Sequence, residues 1–303
     1  MDKCGSIVFG EDAARQRPLM PAHMPARVYS LRHGMELDKH ATAVVQTLLL
    51  PEIRHPVSQR LMKSREPMKL KGVSAVHNGI LAVFSLAVFV GQMYETVMAS
   101  QRLGVHDVFC WQTPGPAQGR LYFWSYLFYL SKYYELLDTV LLVLKKKPLD
   151  FLHCYHHSIV PFSAWLGFCG WFMPIITGCL FNSLVHVVMY YYYMLVSLGK
   201  SVWWKKYLTV FQIIQFCSGG AFTATFYMLY FKNLRLSETA DHYSLAFDKG
   251  CQGDVHSVLF VAAVNVSFLV LFCQFYSKAY RKPRATASET GTGHPKTNGV
   301  KHE

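Results

Sequence analysis

Three histidines lie close together in an apolar stretch of this sequence, at His153, His156 and His157. Residues three and four apart project from the same face of a helix, so a helix would place these imidazoles side by side. Their flanks have the composition of a membrane interior, where ionisable groups are costly and usually serve a function. A lone buried histidine is most simply a hydrogen-bonded core residue, whereas three on one face favour chemistry.

Clustered imidazoles can bind a metal ion or carry out covalent and acid–base catalysis. The HxxHH spacing also occurs in membrane di-iron desaturases and hydroxylases, but two iron sites need several such boxes. Here only the isolated His77 and His186 could add to the single box, so ligation of iron by carboxylates and imidazoles is the weaker alternative. We predict no metal and no bound cofactor. The other option is covalent and acid–base catalysis, in which an imidazole can attack a thioester and a neighbouring imidazole can move protons.

A second cluster places three charges and a hydroxyl on one helical face, at Lys132, Glu135, Asp138 and Thr139. The spacing lets Lys132 pair with Glu135. A charge at the centre of a membrane helix costs roughly 2.5–3.5 kcal/mol, so these groups must face a polar interior and find partners there. The alternative is a structural ion-pair network that only holds helices together.

Two further sets of polar residues recur at helical spacing. The first comprises Asn182, His186, Tyr190 and Tyr193. The second is an amide pair one turn apart, Gln212 and Gln215. Tyrosines near the end of a span also form aromatic belts, which is the better explanation of Tyr191, and amides also join neighbouring helices.

The composition indicates a membrane protein, because 52% of the 303 residues are hydrophobic and only 16% are charged, against roughly 25% charged residues in soluble domains. We expect six spans. Four lie at residues 72–100, 117–144, 207–231 and 254–280, and two lie within 151–198, on either side of a turn near Gly167, Gly170 and Pro174. A seventh, at 41–58, has fewer continuous apolar residues than the about 20 that a span needs. The sequence therefore predicts an all-α integral membrane bundle of six to seven transmembrane helices.

The regions outside the spans also follow from composition and charge. Residues 1–40 lack the apolar core of a signal peptide and are expected to form a flexible leader. Residues 41–282 would form a single transmembrane domain and 283–303 a disordered cytosolic tail. The formal net charge of +12 is concentrated in loops on one side of the spans, which the positive-inside rule explains without nucleic acid binding.

The opposite loops each contain one cysteine, Cys110 and Cys251. Both would face an oxidising lumen, where a disulfide can form, and the alternative is two free thiols. A seven-helix receptor with a bridge between its loops and a proton-coupled transporter fit the same architecture. Three stacked histidines beside a Lys–Glu–Asp face favour an enzyme over a receptor, whereas a transporter stays an alternative and would bind its substrate without consuming it.

Four motifs resemble, in order, those of the fatty acid elongase (ELO) family of very-long-chain 3-ketoacyl-CoA synthases. They are KxxExxDT at residues 132–139, HxxHH at 153–157, NxxxHxxMYxYY at 182–193 and TxxQxxQ at 209–215. The resemblance extends over residues 60–282 and departs from the family at the long basic leader and the short first span. That departure leaves the number of helices open and does not affect the site.

The resemblance implies a membrane enzyme that condenses a long-chain acyl-CoA with malonyl-CoA and releases CO2, the first step of microsomal fatty acid elongation. It implies the endoplasmic reticulum, six helices around an acyl-chain tunnel, and the luminal disulfide Cys110–Cys251. The implied partners are the lipid bilayer and the ketoacyl reductase, dehydratase and enoyl reductase of the cycle, with a homodimer left open. Cys154 stands where elongases of saturated and monounsaturated chains often have tryptophan, which favours polyunsaturated substrates.

The resemblance also suggests roles for individual residues. His156 is the expected nucleophile, His153 and His157 would orient it or move protons, and His186 would face it from another helix. The remaining residues would set protonation states or donate hydrogen bonds to a thioester or enolate oxygen, as oxyanion donors do. These supporting residues are Lys132, Glu135, Asp138, Asn182, Tyr190, Gln212 and Gln215.

Overall fold

The computed structural model describes residues 62–110, 119–169, 174–232, 234–239, 242–247, 251 and 255–280. Its helices are α1 (Lys71–Leu103), α2 (Val105–Cys110), α3 (Arg120–Tyr134), α4 (Leu136–Leu144), α5 (Phe151–Cys169), α6 (Pro174–Ser197), α7 (Lys205–Lys232) and α8 (Val255–Tyr280). Two antiparallel strands, β1 (Leu234–Thr239) and β2 (His242–Phe247), lie between α7 and α8. The expected leader 1–40, the weak span 41–58 and the tail 283–303 lie outside the described residues.

The helices form a bundle whose order of neighbours closes into a ring. Helix α1 packs against α3 and α6, α6 packs against α7, α7 against α8, and α8 against α5, which returns to α3. Helices α3 and α5 also contact α6. The elements that carry the first three motifs therefore meet.

Three of the described helices are long and apolar enough to cross a membrane, judged by length and composition: Lys71–Leu103, Ile175–Ser197 and His256–Tyr280. Many large apolar side chains on the outside of the bundle are exposed, including Val76, Val83 and Val266, as expected where lipid covers the surface. The prediction of an all-α, multi-pass membrane protein is confirmed, and the number of spans is confirmed only in part. The acyl-chain tunnel stays a prediction.

Most predicted spans agree with helices. Those at 72–100, 207–231 and 254–280 match α1, α7 and α8 within three residues at every end. The stretch 151–198 divides into α5 and α6 as expected, but Gly167 lies inside α5 and not in the turn. A Cβ atom at Gly167 would lie 2.9 Å from the side chain of Ile175, so this glycine allows α5 and α6 to approach each other.

The predicted span 117–144 is not one continuous helix, because α3 ends at Tyr134 and α4 begins at Leu136. At the break, the amide of Asp138 donates to the carbonyl of Glu135 at 3.0 Å. This bond reaches back three residues where an α-helix reaches back four, which is the tightening of a 3₁₀ turn. Neither proline nor glycine stands at the break, so the sequence pattern did not reveal it.

Contacts between helix ends bring the lysine-rich connections together. The amide of Met68, just before α1, donates to the carbonyl of Leu144 at the end of α4 at 3.0 Å. Thr209 Oγ1, near the start of α7, lies 3.4 Å from the hydroxyl of Tyr280 at the end of α8. We call this the basic end of the bundle, since Lys145 and the lysines that follow it lie here.

Candidate active site

A buried charged centre joins α3 to α6. Lys132 Nζ donates to Glu135 Oε1 at 2.7 Å and to Asn182 Oδ1 at 3.2 Å. The side chains of Lys132 and Glu135 are each 2% exposed, so the pairing offsets part of the cost of burying either charge. His186 Nδ1 lies 3.3 Å from both Lys132 Nζ and Glu135 Oε1. Its tautomer decides whether this nitrogen accepts from Lys132 or donates to Glu135.

Glu135 occupies the break between α3 and α4, which explains how one short segment presents so many polar groups. Its carboxylate also accepts a hydrogen bond from Ser131 Oγ at 3.0 Å. The gap lined by Lys132, His186 and Phe128 is too narrow for a water molecule. Electrostatic interactions in such a dry site are stronger than in water, and an unpaired charge there is correspondingly costly.

The second carboxylate, Asp138 on α4, is held by two other helices. His77 Nε2 on α1 donates to Oδ1 at 2.8 Å, and the hydroxyl of Tyr190 on α6 donates to Oδ2 at 2.9 Å. An ionised carboxylate only accepts, so both partners must be donors. His77 and Tyr190 are buried. Asp138 therefore ties α1, α4 and α6 together.

The HxxHH box occupies the first turns of α5, at the basic end. Asp150 Oδ1 accepts from the amide of His153 at 2.7 Å, the contact of a helix N-cap. His153 Nε2 is hydrogen-bonded to Thr139 Oγ1 at 2.9 Å. The rings of His153 and His157 lie 4.4 Å apart between centroids. Thr139 and His153 thus join the first motif directly to the second.

His156 is the histidine of the box that faces α6. Its ring centroid lies 5.2 Å from that of His157, 6.5 Å from that of His186 and 5.5 Å from that of Phe268. Its side chain is partly exposed, and among the described residues no hydrogen bond is made to its imidazole. An imidazole nitrogen with no donor upon it keeps its lone pair available for a bond to carbon.

The two amides of α7 occupy different positions. Gln215 Oε1 accepts from Asn182 Nδ2 at 3.4 Å and so joins the charged centre. Gln212 Nε2 lies 3.6 Å from Met189 Sδ. The structure therefore connects Gln215 to the centre through Asn182 and places Gln212 beside α6, one turn away.

Two other observations concern possible ligands and cross-links. Within the described ranges, no three His, Cys, Asp or Glu side chains are grouped so as to hold a metal ion. Cys110 and Cys251 form a disulfide, with Cα atoms 4.0 Å apart, in an apolar cluster with Phe226 and Val258. This cluster lies away from the histidine box, at the end of the bundle opposite to the basic end.

One component of the site was not recognised as such from the sequence. His77 was considered only as an isolated metal ligand, and the structure places it on Asp138 at 2.8 Å. The available signal was a single ionisable residue within an apolar span, which is costly without a partner. Sequence spacing on α1 did not identify that partner, because Asp138 lies 61 residues away.

Comparison with known proteins identifies the family. The sequence model of the ELO: GNS1/SUR4 family matches residues 41–288. A Dictyostelium discoideum protein with the provisional name fatty acid elongase is 43% identical over an alignment that covers 76% of this chain and 73% of that protein. Fatty acid elongase sre1 of the same organism is 37% identical over 80% of this chain and 82% of its own length.

The match to a more distant relative extends over almost the whole length of that relative. Very long chain fatty acid elongase 1 of Mus musculus is 32% identical over an alignment that covers 90% of this chain and 98% of the mouse protein. The family match extends over most of the chain and includes every described helix. The chain therefore belongs to the ELO (GNS1/SUR4) family.

Proposed function

We propose that this protein is the condensing enzyme of fatty acid elongation, joining a long-chain acyl-CoA to malonyl-CoA with loss of CO2. The observation that carries the proposal is the position of His156. It has no hydrogen-bond partner among the described residues and lies opposite His186, which is in contact with the buried Lys132–Glu135 pair. Family membership and the names of the relatives support elongation as the reaction.

The first half-reaction acylates His156. Its unprotonated nitrogen attacks the thioester carbonyl, a C–N bond forms, the C–S bond breaks, and CoA leaves as a thiolate. The remaining imidazole proton passes to this thiolate, which gives free CoA and a neutral acyl-imidazole. His157 and His153 lie beside His156 and can carry this proton, since imidazoles exchange protons near neutral pH.

The second half-reaction forms the new carbon–carbon bond. The malonyl-CoA carboxylate leaves as CO2, and its electron pair remains as an enolate that attacks the acyl-imidazole. The C–N bond breaks, 3-ketoacyl-CoA is released, and the imidazole takes up one proton from solvent. Lys132 and Glu135 fix His186 opposite the reacting carbon, where an imidazole N–H stabilises developing negative charge on oxygen.

The supporting residues hold this arrangement in place. Asn182 and Gln215 orient Lys132. The hydrogen bond between Tyr190 and Asp138 holds α6 against α4. Gln212 on α7 is positioned to donate a hydrogen bond to substrate. The reaction as written needs no metal or cofactor. We propose the endoplasmic reticulum membrane as the location, the reductases and dehydratase of the elongation cycle as partners, and polyunsaturated chains as preferred substrates within an interior tunnel.

The test is a condensation assay with purified full-length protein in detergent. Radiolabelled malonyl-CoA is combined with saturated and polyunsaturated acyl-CoAs of several lengths, and labelled 3-ketoacyl product is measured. His156→Ala should abolish the product. Incubation of the wild type with acyl-CoA alone should release free CoA and add one acyl mass to the peptide that contains His156.

The matched control is His256→Ala, which removes an exposed histidine at the start of α8 and should leave activity unchanged. Full activity of a well-folded His156→Ala would overturn the nucleophile assignment. If the folded wild type made no product from any acyl-CoA, condensation itself would be contradicted and transport would become the leading explanation.

A further inference from the structure

His77 lies outside all four motifs, yet it makes one of the shortest polar contacts of the site. Its Nε2 atom donates to Asp138 Oδ1 at 2.8 Å, and its side chain is 6% exposed. Its ring stacks on Tyr134 at 5.2 Å between centroids, which fixes the plane of the imidazole. Helix α1 thereby supplies a single, well-oriented donor to α4.

A chain of contacts leads from Asp138 through Tyr190 to His186. The other carboxylate oxygen of Asp138 accepts from Tyr190, which is 1% exposed. The ring of Tyr190 meets that of His186 edge-on, at 5.3 Å and 79°. Since Asp138 uses one oxygen for each neighbour, loss of the His77 donor frees the carboxylate to rotate and releases Tyr190 from its position against His186.

We propose that His77 is a positioning residue of the condensation reaction, acting through Asp138 and Tyr190 on the ring of His186. The inference rests on the function proposed above. A displacement of about 1 Å at a reacting group can cost on the order of 100-fold in rate, so a donor that touches no substrate can still set kcat. His77 differs in this from Lys132 and Glu135, which touch His186 directly.

The position of His77 makes it suitable for substitution. It lines a cleft of about 440 Å3 between α1 and the α3–α4 pair, whose other lining side chains are mostly apolar, such as Val73 and Leu137. His77→Leu keeps the bulk and removes the donor. His77→Gln keeps a donor, because the glutamine amide can reach where Nε2 lies. Ile80→Ala alters the same cleft without touching Asp138 and serves as the matched control.

We expect His77→Leu to lower kcat by about 10- to 100-fold while KM for acyl-CoA changes by less than about twofold. His77→Gln should restore kcat to within about threefold of the wild type, and Ile80→Ala should equal the wild type. A double-mutant cycle with Tyr190→Phe should be non-additive, because both residues act on one carboxylate. Equal kcat in His77→Leu and the wild type would overturn the proposal.

A second readout does not depend on activity. In full-length protein with 15N-labelled histidine, the imidazole resonance of His186, assigned by its loss in His186→Gln, should shift in His77→Leu and return in His77→Gln. If the wild type made no 3-ketoacyl product, the proposed reaction would fail, whereas a shifted His186 resonance would still support the positioning role. An unshifted resonance in His77→Leu would refute that role whatever the reaction is.

Discussion

At the scale of single residues, the site depends on buried charges that have no access to water. Lys132 and Glu135 are each 2% exposed and are bonded at 2.7 Å. Removing one partner leaves the other ionised in a dry environment or forces it to become neutral. Loss of either partner should therefore destabilise the folded state as well as disturb the orientation of His186.

Lys132→Met should lower the stability of the folded protein by about 3–5 kcal/mol, because it leaves the Glu135 charge buried and uncompensated. Thermal unfolding in detergent, followed by intrinsic fluorescence, measures the effect. The matched control is Arg120→Met, since the Arg120–Glu95 pair spans 3.8 Å with Arg120 40% exposed, and such a pair contributes about 0–1 kcal/mol. Equal losses in the two variants would contradict this account of the charged centre.

Thr139 offers a test of the link between the first two motifs. Thr139→Val removes the hydroxyl that lies 2.9 Å from His153 Nε2 and nearly preserves the volume of the side chain. We expect kcat to fall by about tenfold with little change in KM, because the ring of His153 loses its orientation. Thr139→Ser keeps a hydroxyl and should remain close to the wild type. A Val variant as active as the Ser variant would show that this hydrogen bond does not matter.

At the scale of elements, close packing of helices brings the motifs together. Helix α1 approaches α3 at Gly91, where a Cβ atom would overlap the indole of Trp124. The contact lies along α1 on the same side as His77, so the fit of these two helices helps to set the distance between His77 and Asp138.

Gly91→Ala should destabilise the protein by about 1–3 kcal/mol, as overpacking usually does. Gly178→Ala in α6 is the control, since a Cβ atom there meets nothing within 4 Å. Alanine stabilises a helix interior relative to glycine by about 0.5–1 kcal/mol, so this variant should be neutral or slightly more stable. The measurement is the unfolding temperature of each variant in the same detergent. Only Gly91→Ala is expected to lower the unfolding temperature, and a stabilising Gly91→Ala would exclude the tight α1–α3 contact.

The sequence predicted the long helices better than the helix break at Glu135 and the hairpin β1–β2. Apolar length and periodicity located α1, α5, α6, α7 and α8, because burial in lipid requires long apolar runs. The break at Glu135 was missed, since it arises from local hydrogen bonding and contains no proline or glycine. The hairpin β1–β2 was taken as a loop, because six-residue strands carry little periodic signal.

For the site, the sequence predicted contacts within a helix but not contacts between helices. Spacing within a helix predicted that Lys132 and Glu135 could pair and that the three box histidines share a face. Contacts between helices were not accessible in this way. The bonds from His77 and Tyr190 to Asp138 span 61 and 52 residues, and only packing of the bundle creates them.

At the scale of the whole molecule, the proposed reacting groups lie at the basic end. His153 is the third residue of α5, and Lys145 caps α4 nearby. A CoA substrate carries several phosphate charges, and neighbouring lysines would attract them in a salt-dependent manner. The alternative is that these lysines serve only to orient the protein in the membrane.

Replacement of Lys145, Lys146 and Lys147 together by glutamine should raise KM for malonyl-CoA by about 3- to 10-fold and leave kcat unchanged. KM of the wild type should rise with ionic strength, and KM of the variant should rise less. Arg102→Gln, in the last turn of α1 at the other end of the bundle, is the control and should behave as the wild type. An unchanged KM in the triple variant, with correct insertion, would leave membrane orientation as the only role of these lysines.

The disulfide at the far end has a consequence for how the protein is made. Cys110 and Cys251 are separated by 141 residues, so at about 5–20 residues per second the second cysteine is synthesised on the order of 10 s after the first. During that interval α3 to α7 are synthesised, and Cys110 cannot yet pair with Cys251. The Cys110–Cys251 bond can therefore form only after most of the bundle has been synthesised. In a chain that is arrested before Cys251, the thiol of Cys110 lacks this partner and is accessible to thiol-based quality control.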